Sequence, residues 1–235
     1  MFEVDSENIW FYDDLVGEIE AEWFGGVSVK MFKEAQDSFE GKDYNLRIDS
    51  PGGDVRAALS IFNLIRGYTG KVTAIVDSWA ASSLSYIPMA ADRVLMADNA
   101  LMMTHAPWTF AYGNAADLMQ VVDALDSHQS SLAKGYAEKT GKTVEQVNAD
   151  LMDGENWFTA DEAVEYGLAD EVIESGVKIQ NRVNPKVYGY KGIPDEWRDS
   201  TVQRFAAKAE KPIEMASTDK LQGVRKNVKE VLEAQ

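Results

Sequence analysis

Two side chains in this sequence have the chemistry of acyl transfer: Ser82 and His105. Ser82 closes the small-residue run Ala80-Ala81-Ser82, just before a stretch expected to be helical over 83–87. Small neighbours let a substrate backbone approach, and the first N–H groups of a helix are free to hold a developing oxyanion. The same serine also reads as a helix N-cap with no chemistry, since serine is favoured there. His105 is one of two histidines and stands at the expected end of a strand. It reads either as a structural histidine or as the general base for a serine near Ser82. The other, His128, falls in a long expected helix at a position that reads as exposed. Gly52-Gly53 follows a strand and reads as a place for a backbone N–H donor, at a residue without a side chain, facing the same oxygen as the Ser83 N–H. A phosphate loop is disfavoured, because neither a following Lys-Ser/Thr nor a GxGxxG pattern is present. No HExxH and no Cys/His cluster offers a metal site.

The composition limits the function classes. The 235 residues fit one sizeable domain with an appendage, and a hydrophobic content of 45% supports a core. There are no cysteines, which excludes disulfides and a cysteine nucleophile and suits a reducing compartment. No apolar run approaches the ~20 residues of a membrane span, and no basic segment followed by an apolar run marks a signal peptide. The net charge is −16 and uneven: the first 175 residues carry 11 basic and 31 acidic side chains, the remainder 12 and 8. An acidic body argues against nucleic-acid binding. The basic tail is expected either to be a solvated helical segment or to dock on an acidic surface.

Elements must then position the serine, the histidine and the glycines. A first strand is expected over 16–23, with Ile19 and Ala21 inward, broken by Gly25-Gly26. Residues 2–14 are mixed and acidic, with Trp10, Phe11 and Tyr12 expected to cover an edge of the core. A helical face spans 27–39. Leu46 and Ile48 mark a second strand, 49–53 a turn, and Asp54 the start of a helix whose Ala58, Ile61, Phe62 and Ile65 fall at i, i+3, i+4, i+7. A third strand covers 72–76. Pro88 predicts a kink or short helix after Ser82. Strands follow at 94–96 and 101–104. A long helix over 115–138 carries Leu118, Val121, Val122, Leu125, Leu132 and Tyr136 on one stripe, and Thr140-Gly141 ends it. Thr159 and Glu162 form a capping box for a short helix ending at Gly167. From 177 the character changes, with helices expected near 196–209 and 218–233. Alternation of strand and helix predicts an α/β layer fold.

SPGGDV, then AAS before a helix, MTHAPW, TGKTVEQV and WFTADEAVEYGLADEV occur in this order across 18–173. Together they resemble the Clp protease proteolytic subunit family, and most closely its phage-encoded branch of head-maturation (prohead) proteases. The specificity lies in the order and spacing, not in any one segment. The resemblance implies a ClpP/crotonase-like fold of stacked β-α-β units over 1–176, with the long helix as a ring-to-ring handle and 177–235 as a partly helical extension. It implies Ser82 as nucleophile, His105 as general base, and Gly53 with the Ser83 N–H as the oxyanion hole. The family's acid precedes the aromatic pair that opens the EAVEYGL helix. Counting back from Thr159-Ala160 favours Glu155, where the core family has Asp; Asp153 serves instead if a one-residue insertion follows it. Trp79, bulky for its place before Ala80, is a candidate to narrow a substrate pocket.

The implied reaction is peptide-bond cleavage through an acyl-enzyme, with no metal or nucleotide needed for the cleavage itself. The implied partners are further copies of the chain in a ring, with capsid and scaffold proteins as substrates inside a prohead in the host cytoplasm. Three rivals stand beside this reading. A crotonase-type acyl-CoA enzyme would use the two oxyanion N–H groups without the serine. A signal-peptide-peptidase-like Ser-Lys enzyme would draw on Lys30, Lys33, Lys42 or Lys71, none of which lies in a recognisable motif. A shell component would keep the fold without the activity.

Overall fold

A ten-residue strand carries the chain through the middle of the sheet to Ser82. The computed structural model describes residues 1–175. In order, the elements are β1 (Phe2–Val4), β2 (Asn8–Phe11), α1 (Glu18–Phe24), α2 (Val29–Asp37), β3 (Tyr44–Ser50), α3 (Val55–Arg66) and β4 (Val72–Ala81). Then come α4 (Ser83–Tyr86), a 3-10 turn at Ile87–Ala90, β5 (Arg93–Ala97), β6 (Leu101–Thr104), α5 (Ala115–Thr140), α6 (Val144–Leu151), β7 (Asn156–Thr159), α7 (Ala160–Tyr166) and β8 (Glu171–Ile173). The eight-stranded sheet runs β1-β2-β3-β4-β5-β8, with β6 and β7 branching from β4; pairing is parallel along the path from β2 to β8 and antiparallel at β1–β2 and β6–β7. This is the expected α/β architecture of stacked β-α-β units.

β4 changes partner along its length. Thr73–Val76 pair with β5, whereas Trp79–Ala81 pair with β6. Against β3 the register jumps from Ile48↔Val76 to Ser50↔Ala80, so β4 bulges at 77–79. Such a bulge bends a strand and re-aims its end. Here it turns the last three residues towards β6, which in turn pairs antiparallel with β7.

Local signals explain the helices that flank this sheet. The Ser28 side chain caps α2 through the Met31 N–H, and the Asp54 carboxylate caps α3 through the N–H groups of Arg56 and Ala57. α3 buries Ala58, Ile61, Phe62 and Ile65 as their spacing predicts. Phe62 stacks on Tyr86 at 4.4 Å, and Tyr86 meets Tyr136 edge-on at 5.4 Å. The Tyr136 hydroxyl lies 2.7 Å from Ser85 Oγ. The base of α5 is thereby locked onto the short helix that follows Ser82.

Several expectations are corrected. Residues 16–23 are not a strand; 18–24 form a helix that buries nothing, with Ile19 71% exposed. Period-2 alternation over so few residues does not separate strand from helix, and the acidic first turn with Gly25 at the end favours the helix. The outer strands come instead from residues 2–11, the segment expected to cover an edge of the core, where Ile9 and Phe11 of β2 are buried. Residues 49–50 belong to β3, and Asp49 is buried rather than in a turn. α6, opened by a Thr143/Gln146 capping box, was not expected. On α5 only the second half of the stripe is core: Leu132 and Tyr136 are buried, Leu118 and Val122 exposed. The expected helices near 196–209 and 218–233, and the extension from 177, lie outside the described residues.

Gly135 sets the approach of α5. A Cβ there would sit 2.5 Å from the Tyr86 ring, which is buried and stacked on Phe62. Gly135→Ala should therefore destabilise the protein by about 1–3 kcal/mol through overpacking, despite the ~1 kcal/mol that Ala ordinarily gains over Gly in a helix. Urea unfolding measures this; a more stable variant would contradict the packing described.

Candidate active site

Ser82 follows β4 directly and adopts φ 55°, ψ −128°. That region is unfavourable for a residue with a Cβ. Hydrogen bonds hold it there: the Ser82 N–H donates to the Met103 carbonyl at 2.8 Å, and its carbonyl accepts from the Ser85 N–H at 2.9 Å and the Ser85 hydroxyl at 2.6 Å. The Ser82 side chain makes no capping bond to α4. Its Oγ lies instead 2.6 Å from His105 Nε2. The capping role open to this serine in the sequence is therefore not the one it takes.

Strand register explains how residues far apart in sequence meet. β4 and β6 pair Ala81 with Met103, so Ser82 and His105 leave neighbouring strands at the same end of the sheet. β6 and β7 pair Thr104 with Asn156, and one step further along this antiparallel register sets Glu155 opposite His105. Burial holds the His105 imidazole below its ordinary pKa, while the Glu155 charge pulls it back up. Glu155 is half-buried, whereas Asp153 is exposed and its backbone carbonyl accepts from the Asn156 side chain at 3.3 Å. The structure thus brings Glu155, rather than Asp153, into the field of His105.

The Gly-Gly turn packs against the serine. Gly52 has φ 104°, and a Cβ there would stand 2.7 Å from Ser82 Cβ. Gly53 has φ 145°, and a Cβ would fall 1.8 Å from the Leu15 carbonyl oxygen. Leu15 braces the turn: its N–H donates to the Gly52 carbonyl and its carbonyl accepts from the Asp54 N–H, each at 2.8 Å. This arrangement leaves the Gly53 N–H, and likewise the Ser83 N–H at the start of α4, with no acceptor among the described residues. Both glycines, Ser82 and His105 line one cleft of about 580 Å³, whose far wall is the α5 segment bearing Val121, Ala124, Leu125 and His128.

Two placements differ from those expected. Trp79 is 1% exposed and meets Trp157 edge-on at 5.2 Å, so it supports β7 from the core and does not line the cleft. His128 is half-buried at the cleft wall rather than exposed. Its spacing from Val121 and Leu125 was the available signal, since i, i+4 and i+7 share a helix face. Sequence reasoning also missed a buried charge network behind the bulge. Asp77 accepts from the Tyr12 hydroxyl at 2.6 Å and from Arg47 Nε at 2.8 Å, with a second Arg47 bond closing the pair.

The Clp protease family model matches residues 15–176. Among solved structures, a point mutant of ClpP1 from Listeria monocytogenes is 22% identical, with 72% of this chain and 92% of that one covered and a TM-score of 0.61. At that identity the likeness is one of fold.

Asp49, next to the network at the end of β3, gives the site's surroundings a pH dependence. It is 4% exposed, with Oδ1 lacking a hydrogen-bond partner. Burial, then the nearby Asp77 charge, push its carboxyl up to about 7, against donation from the Trp79 N–H and the Ser78 hydroxyl. A folded-state value above the unfolded one favours folding while the group is protonated, and that contribution is lost as pH rises through 7. Asp49→Asn removes the term. Its stability relative to wild type should rise by on the order of 1 kcal/mol between pH 6 and pH 8. Chemical unfolding at the two pH values measures this; parallel curves would contradict it.

Proposed function

The chain belongs to the Clp protease family, its residues 15–176 matching the family model, and on that premise we propose that it is a serine endopeptidase using Ser82, His105 and Glu155. The observation that carries this reading is the 2.6 Å contact between Ser82 Oγ and His105 Nε2. In the proposed mechanism His105, kept neutral by burial, takes the Ser82 proton as Oγ attacks a peptide carbonyl. The N–H groups of Gly53 and Ser83, without acceptors among the described residues, receive the oxyanion. Glu155 stabilises the imidazolium that forms, and His105 then protonates the leaving amine. Water, activated by the same imidazole, releases the acyl group. A crotonase-type reading leaves the Ser82–His105 contact without a use.

The biological setting belongs to the same proposal. Proteins of this family form ring oligomers, and this chain carries unburied apolar surface suited to assembly: Trp108, Phe110 and Tyr112 before α5, and Leu118, Met119 and Val122 on it. The substrates proposed are phage capsid and scaffold proteins, processed inside proheads in the host cytoplasm. That part rests on the resemblance of the sequence motifs to the phage-encoded branch.

Two experiments test these layers. Co-expression with the capsid protein of the same phage should give a defined truncation, read by intact-protein mass spectrometry, that vanishes with Ser82→Ala; full-length capsid protein with both versions would overturn the substrate assignment. In peptide hydrolysis, Glu155→Gln should lower kcat by on the order of 10³–10⁴-fold and Asp153→Asn by less than about threefold. The acid limb of kcat/KM for the wild type should lie below the ordinary histidine value of about 6.5. The reverse pattern in the two variants would assign the acid to Asp153.

A further inference from the structure

α5 brings a second histidine to the cleft. Val121, Ala124, Leu125 and His128 line it at helical spacing, and the first three make that wall apolar. The ionisable groups around the cleft are nearly all engaged. His105 meets Ser82, Asp54 caps α3 and pairs with Arg56 at 3.0 Å, and Asp14 has a partner. His128 alone of these has none: among the described residues neither ring nitrogen makes a hydrogen bond, although the side chain is half-buried.

An uncommitted imidazole on an otherwise apolar wall has a consequence for any chain bound there. An aliphatic substrate side chain filling the cleft would cover the ring nitrogens and leave them unpaired, which is unfavourable. A side chain with a short apolar stem and a hydrogen-bonding tip would fill the same space and satisfy them. A neutral imidazole presents one donor and one acceptor, and a carboxamide presents the complement of both. A carboxylate supplies acceptors only, and would enter a cleft lined by Asp14 and Asp54, where the one guanidinium, Arg56, is already paired with Asp54.

We propose that His128 is a specificity-determining residue that selects glutamine beside the scissile bond, with glutamate and aliphatic residues disfavoured. The proposal rests on the peptidase reading above and adds the substrate side chain to it. His128 takes no part in the proton transfers at Ser82.

The test is a set of otherwise identical peptides with Gln, Glu, Leu or Met at the residue on either side of the scissile bond. Cleavage sites are read by mass spectrometry and kcat/KM is determined for each. Wild type should prefer Gln over Leu by about 10- to 100-fold, the range for leaving one covered polar group unpaired. His128→Leu should lose that preference or reverse it while still cleaving the Leu and Met peptides, which also shows that it is folded. His128→Gln, which keeps a donor and an acceptor, should retain a preference for Gln. Equal Gln-to-Leu ratios in wild type and His128→Leu would overturn the assignment, as would a wild type that prefers Leu. A wild type that cleaves none of the peptides would remove the peptidase reading and this one together, whereas cleavage with an unchanged ratio removes only this one.

Discussion

A serine held at positive φ is the constraint on which the rest of this site depends. Such a conformation costs on the order of 1–3 kcal/mol for a residue with a Cβ. At Ser82 three hydrogen bonds hold the backbone in it, and Gly52 leaves room for its side chain where any Cβ would collide with it. The gain is directional. A serine in ordinary capping geometry would turn Oγ back to its own helix, whereas this one sends Oγ to His105. The glycine pair, the bulge in β4 and the bracing Leu15 all serve that turn.

Sheet register then does what no loop would do as reliably. Two pairings, β4 with β6 and β6 with β7, bring three sequence-distant residues to one end of the sheet. The same burial that makes the sheet stable holds the His105 imidazole below its ordinary pKa. It also traps Asp49 and Asp77 side by side behind the bulge, with Arg47 and Tyr12 stabilising the second but not the first. α5 is anchored through its second half, where Gly135 meets Tyr86, Gln129 donates to Asn148 and Lys139 pairs with Asp170. Its first half leaves the core, offers one side to the cleft and exposes the other.

Much of this was legible in the sequence because several signals agreed. Ala58, Ile61, Phe62 and Ile65 marked α3, the Thr159/Glu162 box marked α7, and Pro88 marked the 3-10 turn. Ser82, His105 and the glycine pair were candidates by residue type and order, with structural readings left open beside them until the family pattern was matched, and counting within that pattern favoured Glu155. Long-range pairing was not legible. Nothing local distinguishes Asp49 in a turn from Asp49 buried in a strand, because its burial is decided by the bulge opposite. Residues 16–23 alternate well enough for a strand, but the acidic first turn and the Gly25 cap make 18–24 a helix. Trp79 is core because Trp157 lies across from it, and His128 reaches the cleft only because α5 is docked at Gly135.

The most direct measurement is covalent labelling of the purified wild-type protein with a fluorophosphonate, mapped by peptide mass spectrometry and timed across pH. The account predicts a single adduct, on Ser82, formed at a rate that rises as His105 loses its proton and collapses in His105→Ala. A folded protein that takes no adduct, or one that labels Ser82 equally fast without His105, would contradict it.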